Sequence, residues 1–324
     1  MNIAYNNTKR NGGDGMKYRV YIDGQAGTTG LQLQQRLQQH TEITLLYIDE
    51  QKRKDETERK RLLNTADVVF LCLPDEAAKQ AVQWVENPNT CIIDASTAHR
   101  TATGWTYGFP ELSASQKQAI ATSKRIANPG CHATGFIAGV YPLVQADVLS
   151  ENYPFTAFSL TGYSGGGKSM IAEYENKQRN NAYDSPRQYA LSQMHKHLPE
   201  MQKITGIANP PIFLPIVGDY HCGMATFIPL HCQLFLKKYK KADILEILQT
   251  HYQSQPLITV SEIEEGFLPA NALANQNNLH LYLAGNDDRM TLTAVFDNLG
   301  KGASGAAVQN MNIVLGLDET TGLI

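Results

Sequence analysis

Gly24-Gln25-Ala26-Gly27-Thr28-Thr29-Gly30 joins a β-rich run, residues 18–23, to a stretch of helical spacing over residues 29–40, with Leu31, Leu33 and Leu37 on one side. A glycine-rich turn between strand and helix lets a pyrophosphate approach the backbone N–H groups of the helix N-terminus. The spacing is G-x-x-G-x-x-G, not the commoner G-x-G-x-x-G, and alone it also fits an ordinary turn. Its context is what gives it meaning: a strand precedes, a helix follows, and a second strand-like run begins at Ile43. The segment predicts a dinucleotide-binding unit on a parallel sheet.

The alternation continues beyond that unit. Residues 43–48 and 66–73 are strand-like, 76–85 helical, and 91–94 strand-like again. Repeated β-α-β order makes a parallel sheet with helices on its faces. Past residue 131 strand-like runs dominate, at 155–161, 212–217, 225–235, 280–284 and 289–297. A helix over 241–252 and a polar segment over 173–187 lie among them. This predicts a second domain with a large mixed or antiparallel sheet. Residues 305–317 read as a closing helix, with Ala306, Val308, Met311 and Val314 apolar, that packs back on the first domain. The expected division is a disordered tail over 1–16 (Met16 being an alternative start), a dinucleotide-binding domain over 17–130 completed by 303–324, and a second domain over 131–302.

Composition narrows the function classes. A formal charge of -3 argues against a nucleic-acid partner, which leaves a basic footprint. No apolar run approaches the roughly 20 residues of a membrane helix, and the polar first residues lack an apolar signal core. Five cysteines, none in C-x-x-C spacing, read as reduced thiols and suggest the cytoplasm. Cys72, Cys91, Cys222 and Cys232 sit in or beside strand-like apolar runs, as core thiols do.

Cys131 differs from them. Asn128-Pro129-Gly130-Cys131-His132-Ala133-Thr134-Gly135 sets it after a Pro-Gly break and before a helical apolar stretch over 136–144. A thiol there faces unpaired N–H groups and the positive end of the helix dipole, which favour thiolate and an apparent pKa below the ordinary value of about 8.5. The competing reading is a small buried hydrophobe. The nucleotide signature favours catalysis: with a nicotinamide cofactor, a thiolate attacks an acyl phosphate or aldehyde and hydride moves to or from the covalent adduct. At the end of the second strand, Asp49 suits a ribose 2′-OH and NAD, whereas Lys52, Arg53 and Lys54 suit the 2′-phosphate of NADP. Acidic neighbours leave a solvated charged helix open as well; the reading adopted is NADP, held by Gly24, Gly27, Thr28, Thr29, Gly30, Arg53 and Lys54, with Ser96 as a further candidate.

Together these residues resemble the shorter class of N-acetyl-gamma-glutamyl-phosphate reductases. The resemblance runs over nearly the whole chain from Lys17. It rests on the glycine loop, Leu71-Cys72-Leu73-Pro74-Asp75, Asp94-Ala95-Ser96-Thr97-Ala98-His99-Arg100, Tyr107-Gly108-Phe109-Pro110-Glu111-Leu112 and the Cys131 segment. It continues with Ser164-Gly165-Gly166-Gly167-Lys168, His195-Lys196-His197-Leu198-Pro199-Glu200 and residues 297–307. It implies an α/β fold: a Rossmann-type parallel-sheet NADP domain plus an α+β catalytic domain like that of glyceraldehyde-3-phosphate and aspartate-semialdehyde dehydrogenases. It implies NADPH and reduction of N-acetylglutamyl 5-phosphate to N-acetylglutamate 5-semialdehyde and phosphate, a step of arginine biosynthesis. By the same resemblance Cys131 is the nucleophile, His195 and His197 supply the acid and base, Asn298 lies near the nicotinamide amide, and the protein is a homo-oligomer, dimer or tetramer.

Other candidates follow from the residues themselves. His195 and His197, two apart, share a face of an extended segment; His197, nearer Pro199, is taken as the acid and base. A metal pair is the competing reading, but no third ligand stands at characteristic spacing, so no metal is expected. Arg100, after the strand ending at Asp94, suits the substrate's phosphate or its α-carboxylate. Ser164 and Gly165 begin a glycine-rich loop whose N–H groups suit phosphate, or only a tight turn. Residues 300–304 read as a hinge into the last helix. His132, where the family pattern has Tyr, either perturbs Cys131 or points into the domain interface. The alternatives are the related acyl-phosphate reductase of lysine biosynthesis, aspartate-semialdehyde dehydrogenase, and a non-enzymatic redox sensor, which needs a resolving cysteine.

Overall fold

The computed structural model describes residues 17–323; the expected tail, 1–16, lies outside the described residues. The first half forms strands β1 (Tyr18–Asp23), β2 (Ile43–Leu46), β3 (Val68–Leu71), β4 (Cys91–Asp94), β5 (Thr106–Tyr107) and β6 (Arg125–Ala127). Every pairing is parallel, in the order β2-β1-β3-β4-β6-β5. The chain steps from β1 outward to β2 and then returns to β3 on the other side, so strand order reverses between β1 and β3. A crevice opens at such a switch point, outside the strands' carboxyl ends.

Helices α1 (Thr28–Leu37), α2 (Glu56–Thr65), α3 (Asp75–Gln83) and α4 (Ala114–Thr122) connect these strands. The charged stretch after residue 49 becomes a 3-10 turn, Glu50–Lys52, and then α2. Asp55 caps α2 by accepting from the Glu58 N–H at 2.7 Å, and only Leu62 and Leu63 are buried along it. Strands β5 and β6, two and three residues long, are too short to show a period and were not expected, nor was α4 between them.

Helix α5 (Cys131–Gln145) leads into the second half. It contains α6 (Gly167–Glu175), α7 (Leu198–Thr205) and α8 (Lys241–Tyr252). Its strands are β7 (Thr156–Gly162), β8 (Arg187–Gln188), β9 (Ile212–Gly218), β10 (Met224–His231), β11 (Ile258–Glu262), β12 (Leu279–Asn286) and β13 (Arg289–Phe296). They make one mixed sheet, β11-β12-β13-β10-β7-β9-β8. The expected run over 225–235 ends at His231, because Cys232–Leu234 turns as a 3-10 helix.

Phe136, Ile137, Val140 and Leu143 of α5 pack into one core with Ile228, Leu281, Leu292 and Phe296 of this sheet and with Ile244 and Leu248 of α8. Each such buried side chain is worth about 1.5–3 kcal/mol. On the other face, Phe158, Leu160, Ile212, Leu214, Ile216 and Phe227 share one side by register and remain half-buried or exposed. The chain finally crosses back. A π-helical turn, Gly300–Ser304, runs into α9 (Gly305–Leu315), whose Ala307, Val308, Met311 and Ile313 pack with Val20, Ile22, Phe70 and Ile93 of the first sheet. Among the described residues no helix is long and apolar enough to cross a membrane.

Candidate active site

The crevice is built from the glycine loop upward. Gly24 has φ +94°, and a Cβ there would collide with the Cys72 carbonyl at the end of β3. Only glycine lets the loop lie this close to the neighbouring strand. Thr28 opens α1, and its buried Oγ1 has no hydrogen-bond partner. Such a backbone cradle with an unpaired hydroxyl at a helix start fits the pyrophosphate of a dinucleotide.

A cavity of about 590 Å³ lies at one end of the crevice, lined by Gly24, Arg53, Lys54 and Arg59 among others. It shares Leu73 with a second, about 270 Å³, lined by Gly27, Thr28, Thr29, Ser96 and Thr97. Asp49 is not in this lining; its carboxylate accepts from Gln51 N–H at 2.8 Å and caps the turn. Ser96 reaches the second cavity, but its hydroxyl donates to Asp94 Oδ2 at 2.7 Å. Gly30 lines neither cavity; it lies under the loop, where a Cβ would strike the Gly24 carbonyl.

Next comes a cavity of about 380 Å³ around Cys131, the first residue of α5. Cys131, Arg100, Ser164, Gly165, His195, His197 and Asn298 all line it. Gly130, the α5 N-cap, is enclosed by charge: a Cβ would lie 2.5 Å from Glu200 Oε1 and 2.6 Å from His197 Nε2, and would also strike the Arg100 guanidinium. Glu200, 1% exposed, accepts from Arg100 Nη1 at 2.7 Å, Tyr107 Oη at 2.9 Å and the Gly130 N–H at 3.1 Å. Arg100 also donates from Nε to Asn128 O and from Nη2 to Ala95 O. Of its five N–H donors, one on each terminal nitrogen is left for a substrate. Burial works against the Arg100 charge, but Glu200, with Tyr107 and Cys131, outweighs it and holds the guanidinium above its ordinary range.

The thiol departs from expectation. Burial pushes Cys131 above the ordinary cysteine value; the Arg100 charge, the His132 N–H and Lys196 pull it down, while Glu200 pushes it up. Desolvation outweighs the helix start, so the thiolate needs a base. His197 is buried and held well below the usual histidine value, first by burial and then by Arg100, and its Nδ1 has no partner. His195, lowered to about 4 by burial and by the Lys196 and Arg100 charges, accepts the His197 N–H on Nδ1 at 3.1 Å. That bond leaves the proton of the neutral His195 ring on Nε2. His132 is bridged between Ser159 Oγ (2.7 Å from Nδ1) and Tyr189 Oη (2.6 Å from Nε2), and burial lowers it to about 3. Among the described residues no group of three or more His, Cys, Asp or Glu side chains is placed to hold a metal ion.

Two family descriptions match the two halves of the chain. The family described as semialdehyde dehydrogenase, NAD binding domain, matches residues 19–120, and the one described as semialdehyde dehydrogenase, dimerisation domain, matches residues 131–298. N-acetyl-gamma-glutamyl-phosphate reductase 2 of Nostoc sp. is 44% identical over 320 residues, 95% of this chain and 99% of the relative. A protein of the same name from Pseudomonas putida is 43% identical over 309 residues, 94% and 98% of the two chains. The chain belongs to the N-acetyl-gamma-glutamyl-phosphate reductase family. It is an oxidoreductase with an NAD(P)-binding domain, of the semialdehyde dehydrogenase fold. A solved aspartate semialdehyde dehydrogenase II from Vibrio cholerae, complexed with ASA, superposes with TM-score 0.74 at 14% identity, covering 93% of this chain and 99% of its own. One with NADP from Candida albicans gives 0.67 at 13%, covering 92% and 98%. At such identities these two share the fold alone.

Within this reductase-family fold, loops far apart in sequence meet at the cleft. Asn298 is locked by the Gly223 N–H on Oδ1 at 2.8 Å and by its own Nδ2 donating to Ser164 Oγ at 3.1 Å. Ser164 keeps its hydroxyl proton for the cavity. The π-turn brings Gly302 against Cys131, where a Cβ would lie 2.9 Å from the cysteine's own Cβ. π-Turns of this kind recur at functional sites. Sequence reading gave no role to Glu200, Tyr107, Tyr189 or Arg59. Arg59 donates to both Asp23 oxygens, at 3.2 and 2.8 Å, and lies 4.8 Å from the Trp84 ring centroid. The Pro199-Glu200 pair was visible as part of a motif, but nothing local told that its carboxylate is buried.

Proposed function

We propose that this protein reduces N-acetyl-L-glutamyl 5-phosphate with NADPH to N-acetyl-L-glutamate 5-semialdehyde and phosphate, through a thioacyl group on Cys131. The observation carrying this reading is the run of three cavities from Arg53 and Lys54 to the cysteine, with two neutral imidazoles at its end. The names of its relatives supply the substrate class.

His197 accepts the Cys131 proton, its depressed basicity offset by transfer within the site. Sulfur attacks the acyl carbon, the carbon–oxygen bond to phosphate breaks, and phosphate departs with the electron pair and the proton from His197. His195 donates Nε2–H to the carbonyl oxygen, where negative charge develops. Gly24, Gly27, Thr28 and Thr29 would hold NADPH, with Arg53 and Lys54 available to its 2′-phosphate, and the bound cofactor would supply the hydride that reduces the acyl carbon. The oxyanion then re-forms a carbonyl, the carbon–sulfur bond breaks with its electron pair staying on sulfur, and the Cys131 thiolate takes up a proton from solvent relayed through His197. Ser164, Gly165 and the remaining Arg100 N–H groups hold the substrate's carboxylate end, and Asn298 keeps the Ser164 loop in place.

The NADP domain in this reading spans 17–130 and is completed by 303–324; residues 131–302 form the catalytic domain. Self-association as a dimer or a tetramer is supported by the partly uncovered apolar face of the second sheet and by the match to a dimerisation domain. A cytoplasmic location accords with five cysteines that are all free. The test is phosphate-dependent reduction of NADP with N-acetylglutamate 5-semialdehyde set against aspartate semialdehyde. Preference for the first by kcat/KM is expected; preference for the second would replace the substrate.

A further inference from the structure

Six residues line both the Cys131 cavity and the adjoining cofactor cavity: Thr28, Thr29, Ala95, Arg100, Gly167 and Lys196. They form a neck, and the reacting carbon must sit near it to be reached from both sides. Two of the six are cations with opposite commitments. Arg100 is buried against Glu200 and uses all three nitrogens inside the protein. Lys196 is exposed, and among the described residues its ammonium has no hydrogen bond and no ion pair. Its charge nevertheless acts on Cys131, His195 and His197 on one side and on Asp75 on the other.

An uncommitted cation at this neck suits an anion that arrives with the substrate and leaves. The oxygen bonded to the acyl carbon carries the phosphoryl group, so that group must lie within a bond or two of the carbon Cys131 attacks. Arg100 offers one N–H per terminal nitrogen and a charge already matched. Lys196 offers three rotatable donors and a charge that no ion pair ties down, with the Asp75 carboxylate acting on it only at longer range. Thr28 Oγ1, buried without a partner, stands in the same neck.

We propose that Lys196 binds the phosphoryl group of the acyl phosphate and holds inorganic phosphate as it departs. This rests on the acyl-phosphate reading above. The same oxyanion chemistry belongs to the cofactor's pyrophosphate, and the experiment separates the two sources.

In the oxidative direction, Lys196→Ala is expected to raise KM for inorganic phosphate about tenfold or more, as loss of a charge-assisted bond does. Affinity for NADP and KM for the aldehyde stay within about twofold, and Lys196→Arg recovers most of the loss. A second readout uses neither aldehyde nor cofactor: inorganic phosphate slows iodoacetamide labelling of Cys131 in the wild-type enzyme and not in Lys196→Ala. Labelling is taken as a ratio with and without phosphate, which removes the variant's own effect on the thiol. An unchanged phosphate KM with protection intact overturns the proposal, and so does a loss confined to NADP, which assigns Lys196 to the pyrophosphate. If wild-type enzyme shows no phosphate-dependent turnover of the semialdehyde, the acyl-phosphate reading falls, while the protection ratio still decides whether Lys196 holds phosphate.

Discussion

At the cofactor end of the cleft, Arg53 stands on an exposed turn 3.8 Å from Glu50, beside Lys54. At the cysteine end, Arg100 and Glu200 are 8% and 1% exposed in their side chains and lie 2.7 Å apart. Water and salt screen the first group, so its charge is open to an incoming phosphate and contributes little to the fold. The second group is desolvated, and each member depends on the other; removing one partner of such a pair costs about 3–5 kcal/mol. Charge at the rim is therefore available for recognition, and charge beside Cys131 holds geometry and adjusts a proton affinity that burial has already raised.

The most severe break comes at the buried end. Cys131→Ser is expected to lower turnover by more than about a thousandfold while NADPH titrates as before, because a hydroxyl lacks a comparable anion at neutral pH. Glu200→Gln keeps the shape and removes the charge, leaving Arg100 buried and unmatched. A loss of about 3–5 kcal/mol in urea unfolding is expected. Glu200 also pushes the Cys131 thiol up, so the pH midpoint of its alkylation moves down in this variant. A midpoint that moves up would break the contrast, since the carboxylate would then not act on the sulfur.

His197→Asn is expected to lower kcat about a hundredfold and flatten the pH–rate profile, whereas His195→Asn raises KM. The reverse result exchanges base and oxyanion donor. At the rim, Arg53→Ala with Lys54→Ala should weaken NADPH about tenfold or more, leave NADH nearly unchanged, and leave stability within about 0.5 kcal/mol. Equal losses for both cofactors would mean that the 2′-phosphate is read elsewhere.

A pH slope in stability tests the buried end once more. His132 is held at about 3 when folded, against about 6.5 in an unfolded chain. Between those values the unfolded state takes the proton and the folded state does not. Stability is full above about 6.5 and falls as pH drops, by at most about 1.4 kcal/mol per unit for this ring. His132→Gln should remove its share of the slope between pH 7 and pH 5; an unchanged slope would mean that other groups carry it.

Sequence was most legible where one short segment carries its own instructions. β1 and α8 were placed at their true ends, Tyr18–Asp23 and Lys241–Tyr252, and α1 was read one residue late at its start and three residues long at its end. Cys131, both histidines, Arg100, Ser164 and Asn298 were named, and they line one cavity. The charged segment stays open between a cofactor site and a solvated helix, and the bounds of α2 are not drawn in it, because only two buried leucines mark its inner face. The Arg100–Glu200 pair spans 100 residues, and Tyr107 reaches Glu200 across 93, so neither contact leaves a local trace. The thiol's direction was misread for a related reason: a helix start is visible in sequence, but the burial that outweighs it is not.

The central claim is acyl transfer to Cys131. Intact-mass spectrometry of the enzyme mixed with N-acetylglutamyl 5-phosphate, without reduced cofactor, tests it most directly. One N-acetylglutamyl group should appear on the peptide holding Cys131, vanish on adding NADPH, and be absent from Cys131→Ser. An unmodified enzyme that still turns over, or an acyl group on another side chain, would contradict the account.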